Sequence, residues 1–160
     1  MIPSVIDYLL QLPEAMHFAK VHELCSDGIS SYRMLSDYGS GTFQLIEFEN
    51  NLLLILIGDY KPKDTFEKIT EISEDYMEIS QFETDSSSFK IGGRKRNQVD
   101  KGIYCYLNTQ KKTYTYCEGG KAVRFTKVIL SPQYFQTYFK LHDENNARLL
   151  SSARDYLLKN

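Results

Sequence analysis

Short segments rich in β-branched and aromatic residues follow one another through the middle of the chain, at intervals of roughly eight to twelve residues. Turn-forming Gly, Asn, Asp and Ser residues separate them. This spacing favours a β-sandwich or β-barrel over alternating β and α units. We therefore predict a mainly β domain over residues 29–131.

The turn residues also indicate how neighbouring strands connect. Asn50 and Asn51 tolerate positive φ, so they predict a tight hairpin between two strands. A further reversal at Gly119 and Gly120 leads into a last strand over residues 122–131. The predicted strand pairs join residues 43–49 to 52–59, residues 75–83 to 87–92, and residues 102–109 to 112–117 across Gln110 and Lys111.

The N-terminal residues carry helix signals instead. Ser4 can cap a helix over residues 5–12, and Pro13 fits the first turn of a second helix that runs through Phe18 to Leu24. We predict that residues 1–28 form an arm of short helices.

Helical signals return after Leu130. Ser131 supplies a capping hydroxyl before Pro132, and a second helix is predicted from near Asp143 or Asn146 to Leu158. The apolar stripe of this second helix is wider than one helix needs to dock on a sheet, which predicts a homodimer interface in residues 132–160. Docking of the stripe on the chain's own barrel is the alternative. The stripe consists of Leu149, Leu150, Ala153, Tyr156 and Leu157.

Charge and cysteine content restrict the functional class. The chain has 19 basic and 21 acidic residues, without the basic excess of a nucleic-acid-binding domain. Its longest apolar run, residues 52–57, is too short to cross a bilayer. Three separated cysteines and the absence of a basic, apolar leader predict a reduced, cytoplasmic protein that does not engage a membrane.

Residues suited to catalysis or metal binding are sparse. His17, His22 and His142 lie outside the predicted β body and form no H-x-H motif, so we predict no metal site. Cys105 and Cys117 have no histidine nearby in sequence and are interpreted as packing residues rather than nucleophiles. We predict no catalytic residues, no cofactor and no enzymatic activity.

A basic run covers residues 92–96, Gly-Gly-Arg-Lys-Arg. It could contact a DNA backbone or an anionic effector. No second basic cluster extends it into a stripe, so a solvated hairpin tip is the favoured interpretation.

Aromatic strands are the best candidates for a ligand-binding site. Tyr104 and Tyr106 share one strand face, opposite Ile103, Cys105 and Leu107. If the tyrosines line the interior, they form an amphipathic cavity wall for a small polar ligand. In the alternative, the aliphatic face forms the core and the tyrosines lie outside as cross-strand pairs. The predicted ligand-binding residues are Tyr104, Tyr106, Tyr114, Tyr116 and Phe125.

Three segments resemble the N-terminal domain of AraC-type transcription regulators. They are Tyr-Met-Glu-Ile-Ser-Gln-Phe-Glu-Thr-Asp-Ser-Ser-Ser-Phe at residues 76–89, Gly-Ile-Tyr-Cys-Tyr-Leu-Asn at residues 102–108, and Val-Ile-Leu-Ser-Pro-Gln-Tyr-Phe at residues 128–135. The resemblance implies a cupin-like, jelly-roll β-barrel that binds a small-molecule effector. It also implies that a helix after the barrel forms the dimer.

Regulators of this type continue into two helix-turn-helix units, whereas this sequence ends at Asn160. The last residues remain helix-periodic and contain no Gly or Pro, which favours truncation over a free-standing relative. DNA would then be contacted only through a module missing from this chain. The alternatives are a free-standing cupin-like enzyme acting on a small sugar or acid, and an assembly domain without a ligand.

Overall fold

A computed structural model describes residues 4–109 and 112–139. Within these residues the chain forms eleven β-strands and two α-helices. The elements are α1 (Val5–Ala15), β1 (Phe18–Lys20), a 3-10 turn (His22–Leu24), β2 (Ile29–Met34), β3 (Gly39–Phe48), β4 (Leu53–Pro62), β5 (Phe66–Thr70), β6 (Asp75–Phe82), β7 (Ser87–Ile91), β8 (Asn97–Val99), β9 (Gly102–Thr109), β10 (Thr113–Cys117), β11 (Val123–Leu130) and α2 (Pro132–Phe139). Neither helix is long and apolar enough to cross a bilayer.

The strands form two antiparallel sheets, ordered β1-β2-β3-β4-β11-β6-β9 and β5-β10-β7-β8. The last eight strands pair from the outside inwards: β4 with β11, β5 with β10, β6 with β9 and β7 with β8. This nesting is a long hairpin rolled into a double sheet, which is the jelly-roll arrangement. Strands β1 to β3 extend the larger sheet at the β4 side. The predicted mainly β, jelly-roll class is confirmed.

Turn chemistry predicts one hairpin correctly and two strand pairs wrongly. Strands β3 and β4 pair across Asn50 and Asn51, which have φ values of 54° and 67°. The predicted pairs of β6 with β7 and of β9 with β10 do not form, because the members of each pair lie in opposite sheets. In a jelly roll, consecutive strands often cross between sheets, and hydrogen-bonded partners are distant in sequence.

The N-terminal region contains one α-helix instead of the two predicted. The Ser4 hydroxyl accepts a hydrogen bond from the Asp7 amide, and Pro13 lies inside α1. The predicted second helix is wrong, since Phe18 belongs to β1, which pairs with β2. Phe18 is buried against the rings of Phe43 and Tyr60, so packing of its side chain overrides the local helix signal.

At the C-terminal side, helix α2 begins as predicted. Ser131 is buried, donates to the Leu52 carbonyl over 3.0 Å and accepts from the Tyr134 amide at 3.4 Å. The hydroxyl therefore joins Leu52, the residue before β4, to the first turn of the helix. The predicted final helix, His142 and the dimer residues Leu149, Leu150, Ala153, Tyr156 and Leu157 lie outside the described residues.

An aromatic core fills one part of the space between the sheets. It consists of Phe18, Phe43, Tyr60 and Phe125, whose neighbouring ring centroids lie 5.4 to 6.3 Å apart. Gly58 pairs with Phe125 across β4 and β11, and a Cβ there would lie 2.6 Å from the Phe125 ring. The glycine therefore makes room for a core phenylalanine, and any larger residue would displace it.

Candidate ligand-binding site

A cavity of about 240 Å³ lies between the two sheets, beside the aromatic core. Inward-facing side chains of both sheets line it, and Tyr8, Leu9 and Leu12 of α1 contribute to its wall. For scale, an engineered cavity of roughly 150 Å³ admits benzene. The space therefore suits a small organic molecule.

Strand alternation places three charged side chains in this cavity. Lys68 lies between Phe66 and Thr70 on the inward face of β5. Glu78 lies on the inward face of β6, and Lys127 is the next inward residue after Phe125 on β11. We refer to Lys68, Glu78 and Lys127 as the charged cluster.

Two members of the charged cluster form an ion pair. The Lys127 Nζ lies 2.6 Å from Glu78 Oε1, and the Ser80 hydroxyl donates to the same oxygen over 2.5 Å. The Nζ also lies 5.3 and 5.4 Å from the ring centroids of Phe82 and Phe125, within cation–π range. Burial alone would raise the pKa of Glu78, but Lys127, Ser80 and Lys68 outweigh it and lower that pKa. Glu78 is therefore a carboxylate at neutral pH.

Lys68 has no such partner. Its ammonium group makes no hydrogen bond or ion pair with any residue in the part of the chain that the structure describes. Burial and then repulsion by Lys127 lower its pKa to about 8, with a partial opposing effect of Cys117 and Glu78. At neutral pH Lys68 still carries a proton in most molecules, so the charged cluster holds two positive charges against one negative charge.

The other polar groups of the cavity are uncharged at neutral pH. Burial raises the pKa of Cys117, so this residue is a thiol rather than a thiolate. The pKa values of four of the lining tyrosines are also raised, chiefly by burial. These tyrosines are Tyr8, Tyr60, Tyr76 and Tyr106. Among the residues that the structure describes, the cavity therefore offers hydroxyl groups and one uncompensated cation, but no activated sulfur nucleophile.

The predicted ligand-binding residues separate into two groups. Tyr104, Tyr106 and Phe125 all line the cavity. The Tyr104 hydroxyl donates to the Asp100 carbonyl over 2.9 Å and accepts from the Asp100 amide at 3.1 Å, which orients its ring. The alternative of an aliphatic core on this strand does not hold, since Ile103 is 76% exposed. A role of these three residues in binding stays a prediction.

Tyr114 and Tyr116 lie on the opposite, outer face of their sheet and do not line the cavity. The inward positions of β10 belong to Thr113, Thr115 and Cys117 instead. Both strands contain the pattern Tyr-x-Tyr, but they belong to different sheets. The tyrosines of β9 face inward, and those of β10 face outward.

Charged-cluster residues are absent from the sequence-based prediction of the site. Lys127 stands between Phe125 and Ile129 in an alternating strand, and this placement was a usable signal for an inward lysine. Glu78 stands similarly between Tyr76 and Ser80. Lys68 is harder to place from the sequence, because residues 66–70 lie outside the strands that the sequence predicts.

His17, His22 and the basic run do not line the cavity. His17 stacks on Tyr38 with ring centroids 3.7 Å apart, and His22 is exposed in the 3-10 turn. Within residues 4–109 and 112–139, no three His, Cys, Asp or Glu side chains are grouped to hold a metal ion. The basic run forms the connection between β7 and β8, where Arg96 pairs with Glu67 at 2.7 Å.

Comparisons with known proteins give structural likenesses only. Neither a family model nor a curated protein sequence matches the chain. The cupin domain of Cnp3 from Schizosaccharomyces pombe is similar at 10% identity and a TM-score of 0.47, over 64% of this chain and 72% of that one. Ectoine synthase from P. lautus is similar at 12% identity and a TM-score of 0.41, over 68% and 67%. A predicted oxalate decarboxylase from Thermotoga maritima is similar at 16% identity and a TM-score of 0.43, over 67% and 96%. Identities this low say nothing about the chemistry of the cavity. The strand order of this chain is that of a cupin-like jelly roll.

Proposed function

We propose that this domain binds a small organic molecule in its interior cavity and acts as the ligand-sensing domain of an AraC-type transcription regulator. The observation that carries the proposal is the charged cluster inside the jelly roll. Well-packed apolar residues would be as stable there as an ion pair, and an additional unpaired ammonium lowers stability further. Charges in a cavity that also has apolar walls are typical of a ligand-binding site.

The position of the cavity suits a sensor, because its walls reach both ends of the described chain. Tyr8, near the start of the chain, contributes to the wall, and its hydroxyl lies 2.9 Å from the Thr70 hydroxyl. Lys127 contributes from β11, which ends at Leu130 immediately before the Ser131 cap of α2. A ligand that binds one arrangement of α1 or β11 more tightly would increase the fraction of molecules in which the attached helices take that arrangement. This coupling is the physical basis that a regulator needs.

Dimerisation and DNA binding complete the proposal. We assign the homodimer to residues 132–160, through Leu149, Leu150, Ala153, Tyr156 and Leu157, and DNA contact to a helix-turn-helix module outside this chain. A cytoplasmic location goes with this role. In sedimentation velocity, a Leu150→Asp, Leu157→Asp double variant should have half the mass of the wild type, and an unchanged dimeric mass would remove these residues from the interface.

Ligand binding is tested by a thermal-shift screen of the whole chain with organic acids, sugars, amines and neutral aromatic compounds. At a concentration a hundred times its Kd, a true ligand should raise Tm by about 5 to 10 °C. Thr115→Phe fills the cavity and should abolish the shift, whereas Tyr116→Phe, on the outer face of the same strand, should leave it unchanged.

The result that would overturn the proposal is a screen in which no class of compound stabilises the wild type. Equal stabilisation of Thr115→Phe and the wild type would show that binding occurs outside the cavity. Conversion of a stabilising compound into a product would favour the enzyme alternative over the sensor.

A further inference from the structure

We propose that the ligand of this cavity is a small monocyclic aromatic carboxylic acid, and that its carboxylate binds the ammonium group of Lys68. The inference rests on the proposed function, because it names the class of molecule that the cavity would bind. It depends on the charge balance, the walls and the size of the cavity.

Within residues 4–109 and 112–139, the charge balance of the cavity leaves one cation without a counter-ion. Glu78 is already engaged by Lys127 at 2.6 Å and by Ser80, so its charge is shared with the neighbouring lysine. Lys68 has no hydrogen-bonding or ion-pairing partner within the described part of the chain. Lys68 is half-buried, and an unpartnered ammonium that is withdrawn from water in this way is costly. A ligand carboxylate would supply the missing charge and the missing acceptors.

The groups around Lys68 do not supply that anion. Lys127 faces it from β11, Glu78 from β6 and Cys117 from β10. Of these, Lys127 repels Lys68, and Glu78 attracts it but is already ion-paired with Lys127. Cys117 is held as a thiol because burial raises its pKa. The lining tyrosines Tyr8, Tyr60, Tyr76 and Tyr106 are neutral phenols, since their pKa values are raised.

Aromatic rings form a large part of the apolar walls, beside aliphatic side chains such as Leu9, Val99 and Ile129. The rings of Phe66, Phe82, Phe89 and Phe125 line the cavity together with Leu56. Rings pack well against the faces and edges of other rings, so a flat apolar body fits these walls. Sugars and short dicarboxylates lack such a body.

Size restricts the ligand to one ring with a small substituent. A cavity of about 240 Å³ exceeds the roughly 150 Å³ that admits benzene by enough to hold a carboxylate in addition. Benzoate is therefore a suitable probe. Benzamide has the same shape without the negative charge and serves as its neutral counterpart.

The experiment is isothermal titration calorimetry of the whole chain at pH 7 with benzoate and with benzamide. We expect the wild type to bind benzoate at least tenfold more tightly than benzamide. Lys68→Met should weaken benzoate binding at least tenfold and leave benzamide binding within a factor of about three. Lys61→Met changes an exposed lysine of β4 and should bind both probes as the wild type does.

A pH series adds a readout that a merely structural role of Lys68 would not give. Burial and Lys127 lower the Lys68 pKa to about 8, so the residue loses its charge as the pH rises through that value. Benzoate affinity of the wild type should therefore fall about tenfold between pH 7 and pH 9. Lys68→Met should show no such fall.

Each outcome separates this inference from the function on which it rests. Equal affinity for benzoate and benzamide, or a benzoate affinity that Lys68→Met leaves unchanged, would overturn the acid ligand and still leave the cavity as a binding site. Failure of benzoate to bind, while the thermal-shift screen yields a ligand of another class, would overturn only the inference. A screen that yields no ligand would overturn the proposed function itself.

Discussion

The aromatic core and the charged cluster occupy adjacent parts of one interior, and they differ in almost every physical respect. The core rings of Phe18, Phe43 and Phe125 are between 0 and 8% exposed and pack edge to face or tilted. In the charged cluster, the Glu78 and Lys127 side chains are 17 and 21% exposed and border a cavity. The core rings pack against one another even where Phe43 and Phe125 border the cavity, whereas the cluster places charged groups beside the same open space.

The two regions meet on strand β11, which contributes a residue to each. On β11, Phe125 belongs to the core and Lys127, two residues later, to the charged cluster. The fold therefore does not require charges in the interior, since the same sheet accepts phenylalanine one inward position away. The difference predicts that the core provides most of the stability of the domain and that the cluster lowers it, as the proposed ligand-binding role requires.

The largest effect should come from the core. Phe43→Ala removes a fully buried ring and its contacts with Phe18 and Phe125, so the free energy of unfolding should fall by about 4 kcal/mol. Urea unfolding followed by circular dichroism measures the change. Phe48→Ala is the control, because Phe48 lies on the same strand and is 44% exposed. A loss for Phe43→Ala no greater than that for Phe48→Ala would contradict the assignment of this core.

Removing the only carboxylate of the cluster should be nearly as damaging. Glu78→Gln leaves Lys127 and Lys68 together without a negative charge, so the free energy of unfolding should fall by about 3 kcal/mol. The control is Glu67→Gln, which breaks a surface pair with Arg96 whose side chains are 41 and 39% exposed. That variant should lose less than about 1 kcal/mol. Equal losses in the two variants, by urea unfolding at pH 7, would show that the cluster is solvated like the surface.

The fold class was predictable because turn residues and the alternation of side chains along a strand are signals between residues close in sequence. Asn50 and Asn51 define their hairpin, and Ser131 with Pro132 defines the start of α2. Partners across the jelly roll are not local: β5 pairs with β10, and the paired residues are 43 (Thr70 with Thr113) to 51 (Phe66 with Cys117) positions apart in the chain. Turn residues show where the chain turns, but not in which sheet the next strand lies.

The candidate site was predictable only in part, for a related reason. Alternation shows that Tyr104 and Tyr106 share a face, and the same holds for Tyr114 and Tyr116. It does not show which face is inside, and the structure places the two pairs on opposite sides of their sheets. Lysine is usually exposed, so composition alone would assign Lys68 to the surface. Its inward position follows only from the placement of β5 against β10.

The smallest effect, and the only one of opposite sign, is expected at Lys68. Lys68→Met replaces an unpartnered ammonium by an apolar chain of similar length, so the free energy of unfolding at pH 7 should rise by about 2 kcal/mol. The gain should depend on pH. The pKa of Lys68 is about 8 in the folded protein against an ordinary value of 10.5. Between these values the unfolded chain binds more protons, so the wild type becomes more stable relative to the variant as the pH rises.

Urea unfolding of both proteins at pH 7 and pH 10 measures this change, and the advantage of Lys68→Met should be present in full below pH 8 and largely lost at pH 10. Titration of other groups affects both proteins alike and cancels in the difference. Lys61→Met, at an exposed position of β4, should have the stability of the wild type at both pH values. A variant that is less stable than the wild type at pH 7 would mean that Lys68 is compensated within the folded chain. In that case the charged cluster would not lower the stability of the domain at Lys68, the residue where the largest such effect is expected.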